Sequence, residues 1–374
     1  MSREDQIIQR IDSETNDYYS DDSLYNISSW GADLSFRELI AQYEEGDLLK
    51  PEMQRNYVWD KTEASRFVDS ILLGLPVPSI FLAKTHDERM LIVDGYQRIM
   101  TIYDYVRGIF SRDDRVFRLT RSEKINAQWR GRAFAELSET EQRKIRNTTI
   151  HCIIFVQLKP EDDDTSMYQV FERINTSGRT LLPQEIRNCV YQGPFNDLLI
   201  EINKQRMWRE LYGLEKPDTR MRDMEFILRF LALSSEKFRK LERGRISLKK
   251  FLNEFMGAPD STSVEILGQR RHQFLSTISF IRENIGSDAF HNVSPKDPTR
   301  LVKKFNPTIF DSISIATLQT IENSSRSYPR SELLSRRMEL LRNDEYQDLI
   351  KVRTTNVERI HQRIMLAHRY LYNS

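Results

Sequence analysis

The chain has 374 residues, which is enough for one large domain or two packed domains with a substantial core. Its 56 Lys and Arg residues against 55 Asp and Glu give a formal net charge of +1, which excludes a broad positive field that would coat the whole protein with nucleic acid. No apolar stretch approaches the roughly 18 to 20 residues of a membrane helix, and the N-terminus has no hydrophobic signal core, so the sequence predicts a cytoplasmic protein with no membrane partner.

The only two cysteines, Cys152 and Cys189, lie far apart in the sequence, and Cys152 is inside the apolar run 150–156. Cysteine packs as a small hydrophobic residue when it is buried. We therefore predict two buried thiols rather than a disulfide or a redox pair.

The first elements of the chain carry clear start and stop signals. Residues 1–22 are polar with few apolar anchors, which predicts a flexible N-terminal segment. A short strand at 25–29 and a helix follow, and Ser35 and Glu38 have the spacing of a capping box at the start of this helix. Another helix is expected after Trp59 and should end at Gly74, before prolines that cannot continue it.

The sequence then predicts two short strands, 81–83 and 91–93, that pair across a turn. The second strand runs into Asp94 and Gly95, and a helix begins at once with Gln97 and Arg98. Glycine permits the turn, the first N–H groups of a helix attract anions, and arginine adds a fixed positive charge. This arrangement predicts a seat for the phosphate of a nucleotide or a nucleic acid, although an ordinary turn explains the same residues.

A basic segment follows this helix. Residues 107–132 contain eight Lys or Arg residues and three acidic ones, a local net charge of +5, with Phe117 and Trp129 between them. Such a run could hold a nucleic-acid backbone and stack its bases, but positive stretches are more often solvated surfaces or pair with nearby acids. The nucleic-acid-binding hypothesis assigns the backbone contacts to Arg112, Arg115, Arg118 and Arg121.

The remaining pattern indicates an α+β protein. Ser138 should begin a helix and 150–158 should form a central strand, after which the apolar spacing is helical almost throughout. An irregular loop is expected at 287–298, and a last helix is expected to begin with a capping box of Thr355 and Glu358. We predict a flexible segment at 1–22, a mixed α/β domain with a small sheet at 23–192 and an α-helical domain at 193–374.

Five motifs occur in an order that resembles the N-terminal domain of the GmrSD type IV restriction enzymes, a prokaryotic family with a ParB/sulfiredoxin-like fold. The similarity covers roughly residues 25 to 192. The motifs are PEMQRNYVWD at 51–60, LPVPSIFL at 75–82, DGYQR at 94–98, FERINTSG at 171–178 and QEIRN at 184–188. In that family the turn usually reads Asp-Gly-Gln-Gln-Arg, and here Tyr96 replaces the first Gln.

The resemblance implies nucleotide binding, with NTP as the ligand and Mg²⁺ as the expected metal, and NTP hydrolysis in defence against foreign DNA. The catalytic residues would be Asp94 and Gln97. The residues that would bind the nucleotide and its phosphates are Gln54, Arg55, Gly95, Tyr96, Arg98, Arg173 and Asn175. Because Asp94, Gly95, Gln97 and Arg98 are retained, binding carries over more directly than hydrolysis.

Several of these residues have structural explanations as well. Asp94 could cap the helix that begins beside it, and Arg55 could form an internal salt bridge. Arg173 and Asn175 lie where a helix terminator is expected, and Tyr96 could either stack on a base or cover the turn.

Other activities are less compatible with the sequence. It has no Gly-x-x-x-x-Gly-Lys-Ser/Thr loop, which excludes a P-loop enzyme. Its six histidines show neither a His-Asn-His grouping nor the spacing of a metal site, so DNA cleavage would need a partner nuclease or effector. We therefore predict a defence-associated NTP-binding protein, with a DNA-binding module or an adaptor without NTP turnover as the alternative.

Overall fold

The structure is a computed structural model that describes residues 7–9, 26–50, 59–85, 87–159, 182–191, 193–258, 262–323 and 328–372, together with positions 168, 170, 172 and 174. It divides into two compact units. The N-terminal unit comprises 24–181 and 188–190, and the C-terminal unit comprises 1–23, 182–187 and 191–374.

The N-terminal unit is built on a five-stranded mixed sheet with the order β1-β7-β3-β4-β2. β7 pairs antiparallel with β1 and parallel with β3, and β4 pairs antiparallel with β3 and parallel with β2. The strands are β1 (Asn26–Ser35), β2 (Leu48–Leu49), β3 (Ile80–Lys84), β4 (Met90–Asp94) and β7 (Thr149–Lys159), and a small hairpin is formed by β5 (Ile109–Phe110) and β6 (Arg115–Val116).

In the ranges 26–50, 59–85 and 87–159, four helices pack with this sheet around one apolar core. They are α1 (Phe36–Glu45), α2 (Lys61–Leu73), α3 (Tyr96–Arg107) and α4 (Glu139–Asn147), and a short 3₁₀ helix spans Phe134–Glu136. The predicted capping box of Ser35 and Glu38 is confirmed, and Gly74 ends α2 in the left-handed conformation, as expected. Ser138 begins α4 with a capping box of its own.

The C-terminal unit is mainly helical. Its helices are α5 (Pro183–Val190, whose last three residues belong to the N-terminal unit), α6 (Pro194–Asn203), α7 (Arg206–Tyr212), α8 (Arg222–Leu233), α9 (Glu236–Arg239), α10 (Leu248–Met256), α11 (Val264–Asn284), α12 (Pro307–Asn323), α13 (Arg330–Arg342), α14 (Asp344–Leu349) and α15 (Val357–Tyr372). The predicted α+β class, a small mixed sheet followed by a mostly helical part, is confirmed. No helix within the described ranges is long and apolar enough to cross a membrane.

Two local predictions in the C-terminal unit were wrong. The expected irregular loop at 287–298 contains an antiparallel hairpin of β8 (His291–Ser294) and β9 (Asp297–Phe305). The last helix is capped by Asn356 rather than Thr355, because the Asn356 Oδ1 accepts a hydrogen bond of 3.1 Å from the Arg359 N–H.

The end of the hairpin anchors an aromatic cluster around Phe305, which is 1% exposed. Its ring centroid lies 4.7 Å from that of Phe226 and 5.4 Å from that of Phe310. Of the predicted flexible segment, the structure describes 7–9, where Ile8 pairs with Phe305 and the Phe305 N–H donates to the Ile7 carbonyl at 2.7 Å.

Both cysteines are buried and unbonded to each other, as predicted. Burial raises the pKa of Cys152 to about 11, which keeps the thiol protonated near neutral pH.

Candidate functional site

The candidate site is the turn between β4 and α3, which consists of Asp94, Gly95, Tyr96, Gln97 and Arg98. Gly95 is the N-cap of α3 and has a φ of 101°, a conformation that residues with a Cβ rarely adopt. A Cβ at this position would lie 2.2 Å from the Cγ2 of Ile80, so close packing also requires glycine. The predicted strand, glycine turn and helix start are all present.

Arg98 is fixed at the start of α3 by three hydrogen bonds. Its Nη1 donates to the carbonyl of Ser79 at 2.6 Å and to that of Pro78 at 3.4 Å. Its Nη2 donates to the Asp94 Oδ2 at 2.9 Å, and the two groups form an ion pair. The Nε donor of Arg98 has no partner within the described residues, and the side chain is 17% exposed. The guanidinium is therefore oriented and partly committed, with one edge left for an anion.

The Asp94 carboxylate forms its hydrogen bond with the Arg98 side chain and not with the backbone at the start of α3. Within the described residues the Asp94 carboxylate accepts a hydrogen bond from Arg98 and none from the first N–H groups of α3, so it does not cap this helix. One carboxylate oxygen binds Arg98, and the other forms no hydrogen bond in the part of the chain that the structure describes. The side chain is 37% exposed.

Gln97 and Tyr96 tie the turn to its neighbours. The Gln97 Oε1 accepts a hydrogen bond of 3.2 Å from the Trp59 N–H. Tyr96 is 3% exposed and belongs to the apolar core, while the Lys50 ammonium lies 5.4 Å from its ring centroid. Tyr96 therefore covers the turn and does not present its ring for stacking on a base.

Lys50 and Trp59 border the segment that contains Gln54 and Arg55, and both contact the first turn of α3. Gln54, Arg55, Arg173 and Asn175 themselves lie outside the described residues. Their nucleotide contacts remain predictions. Trp59 packs against Phe67 with ring centroids 5.6 Å apart.

The two aromatic side chains of the basic segment 107–132 are buried, not exposed as nucleic-acid binding would require. Phe117 is fully buried and Trp129 is 6% exposed, so the prediction that these rings could stack on bases was wrong. Both rings belong to the apolar core of the N-terminal unit. The Trp129 Nε1 donates instead to the Glu141 Oε1 at 2.6 Å.

The four arginines assigned to nucleic acid fall into two groups. Arg118 pairs with Glu136 at 2.6 Å, and Arg121 lies 3.2 Å from the position of a Cβ on Gly131, so it packs over that glycine. Arg112 and Arg115 are exposed beside the β5–β6 hairpin. Arg118 and Arg121 are exposed as well, so all four arginines lie at the surface although two of them have contacts within the domain.

Glu141 accepts several hydrogen bonds from and beside the basic segment. The hydrogen bond from Trp129, with further bonds from Ser138 and Gln128, lowers the pKa of Glu141 to about 2. In the described part of the chain no group of three or more His, Cys, Asp or Glu residues could hold a metal ion by itself. Asp94 is the carboxylate that the turn itself offers.

Sequence reasoning did not identify the carbonyls of Pro78 and Ser79 as ligands of Arg98. Every residue has a backbone carbonyl, so the identity of residues 78 and 79 does not indicate that their carbonyls accept hydrogen bonds from Arg98. The two residues do lie directly before β3, in the proline-containing motif 75–82, and that position was the available clue.

Comparison with protein families identifies the region that contains this turn. Residues 36–192 match the family described as GmrSD restriction endonuclease, N-terminal domain. This region is similar to the GmrSD N-terminal domain family. The match confirms the resemblance and indicates a restriction- or defence-related function for the protein. No curated protein and no solved structure gives a significant match to the chain.

Proposed function

We propose that this protein binds a nucleoside triphosphate at the Asp94–Arg98 turn of its GmrSD N-terminal domain and acts in restriction together with a partner that cuts DNA. The terminal phosphates would lie against the start of α3 and the open edge of Arg98. The helix dipole and the guanidinium both favour an anion at this position.

The observation that carries the proposal is the fixed orientation of Arg98. Two backbone carbonyls and the carboxylate of Asp94 hold the guanidinium, while Nε remains without a partner in the described ranges. A side chain that is oriented before binding loses little conformational entropy when a phosphate arrives.

Hydrolysis would require Mg²⁺, which usually takes one or two carboxylates together with phosphate oxygens and water. The second oxygen of Asp94 fits that role. Gln97 would align the attacking water with its amide, whose oxygen already accepts a hydrogen bond from the Trp59 N–H. Charge developing on the transferred phosphoryl group would be neutralised by Arg98 and the metal together.

Calorimetric titration with each of the four NTPs tests binding. Arg98→Ala should weaken the affinity by about 1.5 to 3 kcal/mol, because it removes a charge-assisted contact. Arg107→Ala is the matched control, since Arg107 lies at the other end of the same helix and pairs with Glu44 at 3.2 Å. Equal affinities for the two variants would contradict the proposal.

Phosphate release tests turnover separately. Wild-type protein and Asp94→Ala should be incubated with each NTP, with and without Mg²⁺ and DNA. Release that requires Mg²⁺ and disappears in Asp94→Ala would support hydrolysis at the turn. Binding without release would leave a nucleotide-binding protein whose partner responds to occupancy alone.

A further inference from the structure

β1 forms one edge of the five-stranded sheet, and the opposite edge is formed by β2. β2 has only two residues, whereas β1 has ten and keeps a regular register with β7 from Ile27 to Ser35. Along its outer side, the backbone of β1 forms no hydrogen bond with any described residue. A long and regular edge strand of this kind is a template for pairing with another strand.

Edge strands commonly carry features that prevent pairing with other chains, and β1 has few of them. Lysine, proline and bulges are the usual ones. The sequence NISSWGADLS contains neither lysine nor proline, and its register shifts only at the first residue. Its one charged side chain, Asp33, is already hydrogen-bonded to the His151 Nδ1 at 2.8 Å. The strand therefore presents a regular edge with a single charge.

Trp30 is an exposed apolar side chain at the middle of this edge. It is the fifth of the ten residues of β1 and is 42% exposed. It lies opposite Ile154 of β7, which belongs to the apolar core, and Ala32 and Leu34 on the same face of β1 pack against that core. The apolar surface of the core therefore reaches the edge of the sheet at Trp30. Tryptophan is enriched among the residues that dominate the binding energy of interfaces.

We propose that β1 pairs antiparallel with β1 of a second copy of this chain, about a two-fold axis that is perpendicular to the sheet and passes next to Trp30. The central position of Trp30 favours a second copy as the partner, because this symmetry places the two indoles side by side, where aromatic cross-strand pairs stabilise a sheet.

The charges and the symmetry of β1 fit this pairing. Asp33 lies three residues from Trp30, so the two copies of Asp33 are about 20 Å apart along the paired strands at roughly 3.4 Å per residue. Like charges therefore do not oppose each other. A two-fold axis uses the edge of both copies at once, which closes the assembly as a dimer. This surface is independent of the Asp94–Arg98 turn.

Sedimentation equilibrium of the full-length protein tests the proposal. At roughly 100 μM the wild type should have twice the mass of the chain, because even weak specific interfaces reach micromolar dissociation constants. Trp30→Lys places two like charges beside the two-fold axis and should raise the dimer dissociation constant by at least roughly tenfold. Leu75→Lys is the matched control, because Leu75 is an apolar residue of the same unit that is 53% exposed and does not belong to β1. It should remain dimeric.

Crosslinking through Trp30→Cys provides a second readout. Directly opposed residues of an antiparallel pair have Cα atoms about 4.5 to 5.5 Å apart, which is within the range of a disulfide. The native thiols, Cys152 and Cys189, are buried, so mild oxidation should link two copies through the new cysteine alone. A non-reducing gel should show a band of doubled mass for Trp30→Cys and none for Leu75→Cys.

Loss of the dimer in a folded Trp30→Lys variant, or a crosslink that is specific to Trp30→Cys, supports the proposal. Circular dichroism checks the fold of Trp30→Lys, and the crosslink decides the outcome when this variant does not fold. A wild type that sediments as a monomer overturns the proposal and leaves the edge of β1 to a strand of another protein. A dimer that is unchanged in Trp30→Lys and is not crosslinked by Trp30→Cys forms through another surface and also overturns it.

Discussion

Gly95 determines the shape of the candidate site at the scale of a single residue. Gly95→Ala should lower the free energy of unfolding by more than Gly108→Ala does. Both glycines have a positive φ, which costs other residues about 1 to 2 kcal/mol, but an added Cβ meets Ile80 at 2.2 Å only at Gly95 and meets nothing within 4 Å at Gly108. The steric overlap should add about 1 to 3 kcal/mol. Urea denaturation of the two variants measures the difference, and equal losses would show that the turn is not closely packed.

Asp311 is a buried carboxylate that lies between two buried arginines of the C-terminal unit. Its oxygens accept bonds of 2.8 and 2.6 Å from Arg229 and one of 2.9 Å from Arg363. Asp311→Asn removes the negative charge from this fully buried group and should destabilise the protein by about 3 to 5 kcal/mol.

Asp297→Asn is the matched control for that experiment. Asp297 is 44% exposed and pairs with Arg300 at 3.3 Å, so its loss should change the stability far less than the loss at Asp311 does. Thermal unfolding compares the two variants. A small effect at Asp311 would mean that water or rearrangement compensates the buried arginines.

The residues of the turn were predictable as a set, but their mutual contacts were not. Asp94, Gly95, Gln97 and Arg98 follow one another in the sequence, so a strand, a glycine and a helix start necessarily bring them together. The pairing of Asp94 with Arg98 depends on rotamers and on the carbonyls before β3, and neither leaves a pattern in the sequence.

Glu141 connects elements of the N-terminal unit, since it accepts hydrogen bonds both from Ser138 at the start of α4 and from Trp129. Its pKa in the folded protein is about 2, below the ordinary 4.5, so its contribution is present above pH 4.5 and is lost as the pH falls toward 2. We expect this contribution to be on the order of 1 kcal/mol after solvent screening.

Glu141→Gln should therefore remove part of the acid sensitivity of the protein. Urea midpoints between pH 5 and pH 2.5 should show that the wild-type advantage over this variant shrinks as the pH falls. Glu139→Gln is the control, because Glu139 lies on the same helix, is 83% exposed and pairs only with Arg143 in the described residues. A constant difference across this pH range would rule out the proposed role.

The cap of α15 is a second test at the scale of an element. Asn356→Ala should cost about 1 kcal/mol, because the Arg359 N–H loses its side-chain acceptor. Thr355→Val, which keeps the shape of the neighbouring residue, should change the free energy of unfolding much less. Chemical denaturation measures both, and a larger loss for Thr355→Val would restore the capping box predicted from the sequence.

Elements were predictable where caps and apolar spacing agreed. The starts of α1 and α4 show this, because Ser35 and Ser138 each precede a glutamate at the spacing of a capping box. The β8–β9 hairpin was missed because most of β9 is exposed and contains Pro298, so no alternation of apolar residues marks it. Its buried residue, Phe305, is at the very end of the strand.

The net charge and the burial of aromatic rings both argue against the alternative function, a DNA-binding module without NTP turnover. The net charge of +1 supplies no general attraction for DNA, and the two aromatic rings of the basic segment are buried. Wild-type protein should therefore bind duplex DNA weakly, with a shallow dependence of affinity on salt.

Fluorescence anisotropy between about 50 and 200 mM salt measures that dependence. Replacing the exposed Arg112 and Arg115 together with Ala should change it little. Tight binding that falls steeply with salt, and that is lost in the double variant, would instead favour the DNA-binding alternative over the nucleotide proposal.

The ion pair between Asp94 and Arg98 also means that the positive and negative charges of the turn neutralise each other when no ligand is bound. A cation that engages the carboxylate would draw it away from the guanidinium, and a phosphate that engages the guanidinium would release the carboxylate. Both ligands would therefore have to break the same Asp94–Arg98 ion pair, and the ligand that binds first breaks it for the second. By thermodynamic linkage, metal and nucleotide would each raise the affinity of the turn for the other. The same ion pair would discourage either ligand from occupying the turn alone.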